Sequence, residues 1–240
     1  ASSSFVQVRS TPKENLKCGG TLWWAIRGGL MASGENVSIN LSSVQNIRKA
    51  VLIAAILFGV VFLLIGESRW PSGTFVHEGV EWVGLILIVA CIIGRTFCTL
   101  YIGGRKIDRL IVEGPYSVTR NPLYALSVVG AAGAGAQLGS IALALAAGIV
   151  VYFVFLLVAL KEERVLADRF GESYREYLDR VPRFLPDFSL WRDVDKFEVS
   201  PRLVRTTALD ACVFLLSIPL AEGMEYLHDL GLLPTLITLP

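Results

Sequence analysis

Apolar residues along this chain fall into five runs separated by polar segments, and the runs are long enough to read as membrane spans. A helix crossing the hydrocarbon core needs roughly 20 mostly apolar residues, with about 17 at the lower end. Residues 50–66 are uninterrupted, and residues 82–103 are apolar apart from Arg95 and a few small polar groups. Residues 123–138 form a short run rich in glycine and alanine, and residues 141–160 contain no charge. Residues 206–221 are the weakest span because Asp210 interrupts them.

The polar segments orient these runs. Twenty of the 22 Lys and Arg residues lie in 1–49, 104–122 and 161–205, leaving Arg95 within a span and Arg69 on the other side. By the positive-inside rule, the N-terminus and both long polar loops face the cytoplasm. The C-terminal tail, with Glu222, Glu225 and Asp229, then lies outside. Only 18% of residues are charged, against about 25% in soluble domains. A net charge of +1 argues against a nucleic-acid partner, which usually demands a basic excess. Cys91, Cys98 and Cys212 sit in apolar runs and Cys18 stands apart, so neither a disulfide framework nor a cysteine metal site is expected. Three regions follow: a polar extension at 1–46, a membrane core at 47–205, and a C-terminal span with its tail at 206–240. Residues 1–30, ahead of Met31, are expected to be dispensable.

The third and fourth runs are separated by Gly139 and Ser140 alone, so they should be antiparallel neighbours. Residues just before 123 and just after 160 therefore emerge close together on one face. Gly130, Gly133 and Gly135 permit close backbone approach. Ahead of the third run stands Gly114-Pro115-Tyr116-Ser117-Val118-Thr119-Arg120-Asn121-Pro122-Leu123-Tyr124. Asn121 and Pro122 form a natural helix start, with the Asn side chain as cap and Pro at the first helical position. Such a helix end, with Arg120, makes a seat for a carboxylate. A capped helix with Arg120 anchored at headgroup level fits the same residues. After the fourth run, helical spacing lines up Glu163, Ala167, Phe170, Tyr174 and Tyr177. That face either lines whatever the hairpin encloses or packs as an ordinary amphipathic helix. Arg95 is either a snorkelling or structurally paired group or a substrate contact. His77 and His228 fall in outer loops and read as surface residues.

Gly114-Pro115-Tyr116 and Arg120-Asn121-Pro122-Leu123-Tyr124, followed by Glu162-Glu163, Phe170-Gly171, Tyr174, Tyr177 and Arg183 through Pro186, resemble the isoprenylcysteine carboxyl methyltransferase family and the related phospholipid methyltransferases. The resemblance covers about residues 80–187. It implies an all-α integral membrane protein, here with about five transmembrane helices, and a cytoplasmic pocket for S-adenosyl-L-methionine. It also implies a lipid or hydrophobic small-molecule acceptor reached from the membrane. Carried over, Tyr116, Arg120, Asn121, Tyr124, Glu163, Tyr174 and Tyr177 contribute to the cofactor pocket, with Arg120 and Glu163 the catalytic pair and no metal required. The common pattern has His where this chain has Asn121, which cannot titrate. Methyl transfer gains mainly from positioning and exclusion of water, so a site without a strong acid or a metal suffices. Glu162 should point about 100° away from Glu163 and, like Glu172, tolerate substitution. The acceptor group stays open among carboxylate, amine and thiol. Two other readings stand beside this one, an NADPH-dependent membrane reductase of related fold and a non-catalytic membrane scaffold.

Overall fold

The computed structural model describes residues 66–68, 70–71, 73–102, 110–196, 199–232 and 237–239. The polar extension at 1–46 and all but the last residue of the expected span at 50–66 lie outside them. Among the described residues the helices are α1 (Phe75–Ile102), α2 (Pro115–Val118), α3 (Pro122–Ala136), α4 (Ile141–Phe170), α5 (Glu172–Arg180), α6 (Pro201–Cys212) and α7 (Ser217–Asp229). A 3-10 turn, Val213–Leu216, joins α6 to α7. Two short strands, β1 (Gly66–Ser68) and β2 (Ile237–Leu239), pair in parallel with Gly66 beside Ile237.

Among the described residues, three helical stretches are long and apolar enough to cross a membrane: α1, α4 and the run Pro201–His228. At 1.5 Å per residue, the 28 residues of α1 extend about 42 Å, more than the hydrocarbon thickness of about 30 Å. Trp82, Ile86, Ile93, Leu145, Phe153, Leu209 and Leu220 are each more than half exposed on these stretches. So continuous an apolar exterior suits lipid and not water. The expected span at 123–138 is corrected: α3 has 15 residues, about 22 Å, and falls short of a crossing. It packs chiefly against α1 and α4, with Leu123, Tyr124, Ser127, Ala131 and Ala136 buried. Its ends therefore meet protein instead of lipid, which removes the length requirement.

Small residues set how closely α3 approaches its neighbours. A Cβ on Gly84 of α1 would lie 2.7 Å from the Gly133 carbonyl oxygen, and a Cβ on Gly133 would lie 2.7 Å from that of Gly84. Gly130 meets the Cys91 Sγ and Gly135 meets the Leu143 carbonyl, each at 2.6 Å from a would-be Cβ. The packing role expected of these glycines holds. Residues 137–140 turn α3 into α4 as antiparallel neighbours, and the Ser140 hydroxyl caps α4 by accepting from the Leu143 N–H. Arg95 donates through Nη1 to the Ser127 hydroxyl on α3, so it is structurally paired within the bundle. The run α6–α7 is antiparallel to α1, which brings the end of α7 to the start of α1. The bundle thus has two polar ends, one around residues 110–122 and 161–193, the other around the start of α1.

Candidate active site at the start of α3

Two segments some 60 residues apart are stitched together at this end. The Gly114 N–H donates to the Arg192 carbonyl at 2.6 Å, the Asp187 N–H to Val118 at 2.9 Å and the Arg120 N–H to Pro182 at 2.9 Å. Side chains extend the seam. Thr119 Oγ1 and Asn121 Nδ2 donate to the Arg183 carbonyl at 3.1 and 3.3 Å. The Tyr177 hydroxyl donates to the Tyr116 carbonyl at 2.7 Å.

Four charges converge on this seam. Arg183 grips Glu163 with two parallel bonds, Nε to Oε1 and Nη2 to Oε2, both 2.9 Å. Such a fork-to-carboxylate pair is among the stronger hydrogen-bonded arrangements. The Glu163 carboxylate holds the Arg183 pKa above its already high value. Arg120 approaches the same carboxylate, with Nε 3.6 Å from Oε1. That distance suits an ion pair and exceeds a hydrogen bond, so the buried Arg120 Nε–H has no acceptor. On α3, Tyr124 donates to both oxygens of Glu162 at 2.9 and 2.8 Å. The buried Tyr116 hydroxyl also lacks a partner, and burial pushes its pKa well above the ordinary phenol value. One orphan donor, Arg120 Nε, thus stands beside the Glu163 carboxylate, and a second, the Tyr116 hydroxyl, is buried in the same seam; native interiors rarely leave such donors without a ligand or water.

Residues 80–173 match the family model described as phospholipid methyltransferase. The chain is 33% identical to the cobalt-zinc-cadmium resistance protein CzcN of Cupriavidus metallidurans, over 80% of this chain and 88% of that protein. This chain belongs to the phospholipid methyltransferase family, the isoprenylcysteine carboxyl methyltransferase-like group. The nickel-cobalt-cadmium resistance protein NccN of Alcaligenes xylosoxydans xylosoxydans is 31% identical over 79% of this chain and 87% of that protein. No solved structure matches.

Within this methyltransferase-family chain, the pocket residues expected from sequence gather at one end, with altered roles for several. Asn121 precedes α3 and Pro122 takes its first position, yet the Asn121 side chain makes no capping bond. Its side-chain amide donates to the Arg183 carbonyl, while the backbone carbonyl of Asn121 accepts from the N–H groups of Tyr124 and Ala125. The single helical face from Glu163 to Tyr177 is also corrected, because Gly171 at φ +56° ends α4 and redirects the chain into α5. The aromatics still come together: Tyr174, Tyr177 and Val181 form a buried cluster with Ala167 and Phe170. Burial raises the pKa of both tyrosines above the ordinary value, keeping them neutral. Glu162 does not point away from the site as expected. The stacked pair Tyr124 and Phe155, 4.6 Å between ring centres, directs the Tyr124 hydroxyl onto its carboxylate. Glu172 is exposed and pairs only loosely with Arg175, at 3.5 Å. Arg183 is absent from the pocket residues that the sequence predicts, although its place in the final motif was a signal that a partner for Glu163 lay there.

Proposed function

We propose that this chain is an S-adenosyl-L-methionine-dependent membrane methyltransferase acting on a lipophilic acceptor. The observation that carries this reading is the pair of buried orphan donors at the seam where α3 begins and α4 ends: Arg120 Nε, 3.6 Å from Glu163, and the Tyr116 hydroxyl. The cofactor is zwitterionic at its amino-acid end, bears ribose hydroxyls and is cationic at sulfur. Arg120 and Tyr116 offer donors to its carboxylate, and Glu163 offers acceptor oxygens to its hydroxyl or cationic groups, so the residues fit. Bound there, the cofactor supplies a methyl group on a positively charged sulfur that departs as a neutral thioether.

The chain's own residues supply position and dryness. Arg183 fixes the Glu163 carboxylate, Tyr124 fixes Glu162, and Asn121 and Tyr177 hold the seam that carries Tyr116 and Arg120. Tyr174 packs behind them and excludes water. A carboxylate or thiolate acceptor then needs no base, whereas an ammonium acceptor must first lose a proton. The apolar exterior beside this end favours a lipophilic acceptor arriving from the bilayer, and the Lys and Arg of 161–205 favour a cytoplasmic site. The names of the relatives add a setting: a methylated product that serves cells facing cobalt, zinc, cadmium or nickel.

Calorimetry with S-adenosylhomocysteine and with NADPH on the detergent-purified chain tests the cofactor. Binding of the first and not the second is expected, weakened at least tenfold by Arg120→Ala. Labelled S-adenosyl-L-methionine with a total lipid extract identifies the acceptor. Near-wild-type affinity in both Arg120→Ala and Glu163→Gln would remove the pocket.

A further inference from the structure

At the opposite end of the bundle, His77 is 3% exposed, so the surface role expected for it does not hold. Its Nδ1 lies 3.0 Å from the Trp70 carbonyl oxygen. A carbonyl only accepts, so Nδ1 carries a hydrogen, and Nε2 of the neutral ring presents a lone pair. That lone pair faces two more acceptors: Glu225 Oε1 at 2.8 Å and Glu81 Oε1 at 3.2 Å. Three acceptors pointing at one another require a shared cation, either a proton on the ring or a metal ion between the three groups.

Charge balance favours the metal ion. A proton gives one imidazolium against two carboxylates and leaves the cluster negative. Glu222, on the same helix as Glu225, adds to the negative field felt by Glu81. A divalent ion with a neutral imidazole balances the two carboxylates. The ligand atoms lie within 4.8 Å of one another, close enough to meet one ion by small side-chain adjustments. A metal-bound histidine typically donates its other ring N–H to a backbone carbonyl or carboxylate, as His77 does to Trp70. The ring is braced from behind: Gly139, at φ +62°, packs so tightly that a Cβ there would lie 2.2 Å from Nδ1. The glutamate side chains are about a third exposed, so the cluster is open to solvent on their side.

We propose that His77, Glu81 and Glu225 form a binding site for a divalent transition-metal ion that clips α7 to α1 on the membrane face opposite the methyltransferase site. One imidazole and two carboxylates make a nitrogen–oxygen set suited to Zn²⁺ or Co²⁺, with remaining positions left to water. Sulfur-preferring ions find no thiolate among the three groups. The site stands on its own geometry and does not depend on the methyltransferase reading.

The test uses tag-free full-length protein in detergent, stripped with chelator and titrated with Zn²⁺ and with Co²⁺. Wild type should take up one equivalent of Zn²⁺ and develop Co²⁺ ligand-field absorption. Glu225→Gln should weaken Zn²⁺ binding at least tenfold, and Glu81→Gln with Glu225→Gln should abolish it. The isosteric amides preserve shape, whereas His77→Ala removes the ring packed against Gly139, and an unchanged circular dichroism spectrum and thermal midpoint certify the fold of the amide variants. Wild type that retains no Zn²⁺ at tens of micromolar, or a double variant that binds it equally well, would overturn the proposal and leave a proton-bridged ion pair.

Discussion

Where α3 begins, Arg120 and Arg183 meet Glu163 while Tyr124 holds Glu162, whereas where α1 begins a single imidazole meets Glu81 and Glu225. The first group is balanced in charge by its own residues, and its orphan atoms are donors. The second has an excess of acceptors. A balanced cluster with spare donors suits a zwitterionic organic ligand, and a cluster short of positive charge suits a cation. Their construction differs too: the first is assembled by segments flanking the α3–α4 hairpin, the second by residues 148 positions apart on α1 and α7.

The largest effect should come from Glu163→Ala, which strips the first cluster of the carboxylate shared by two arginines. Removing one partner of a buried pair costs about 3–5 kcal/mol. Arg183, about a third exposed, can relax into water, so the low end, about 3 kcal/mol, is expected. Thermal unfolding in detergent measures this, and S-adenosylhomocysteine affinity should fall with it while Zn²⁺ uptake at the other end survives. Gly133→Ala should blur the distinction between the ends. Its new Cβ would press on the Gly84 backbone within the α1–α3 contact, where overpacking costs about 1–3 kcal/mol. Both ligands should then bind more weakly, and loss at one end alone would show that the two ends do not share this wall. Tyr124→Phe and Glu162→Gln form a double-mutant cycle within the first cluster. A charged hydrogen bond predicts a coupling of about 1.5 kcal/mol, read by the same unfolding assay. Zero coupling would restore Glu162 to the tolerant role the sequence suggested.

The first cluster was largely legible in the sequence because its members lie beside a two-residue break between apolar runs. Antiparallel geometry alone brings Arg120 near Glu163, and the motif residues supply the rest. What could not be read was how bonds are apportioned. Asn121 gave up capping for a bond to Arg183, a competition decided only by the chain's return at 181–193. The turn at Gly171 had a local signal in the glycine itself, which ends a helix at positive φ, but the helical spacing of Glu163 through Tyr177 runs on through it and masks the stop. α3 reads as a span because composition carries no information on whether an apolar helix faces lipid or protein. The second cluster left half a signal: His77 and Glu81 stand at i and i+4 on one helix, but Glu225 comes from a helix whose placement no local pattern dictates.

The smallest effect predicted is at Tyr177, and its value lies in its pH dependence. The hydroxyl donates to the Tyr116 carbonyl in a buried cluster, so Tyr177→Phe should cost about 1 kcal/mol near neutral pH. Burial raises the pKa of Tyr177 above its ordinary value of about 10. The folded state therefore favours the neutral phenol. Its stabilisation is complete below about pH 10 and is lost as pH rises toward the folded value, because the unfolded chain ionises first. Phenylalanine has no such proton to lose. The stability gap between wild type and Tyr177→Phe should accordingly hold steady from pH 7 to about 10 and narrow above it, measured by unfolding both proteins across that range. A gap that widens with alkalinity would mean that the ionised phenol is the form the seam favours. The Tyr177–Tyr116 bond would then no longer explain how α5 holds the segment leading into Arg120.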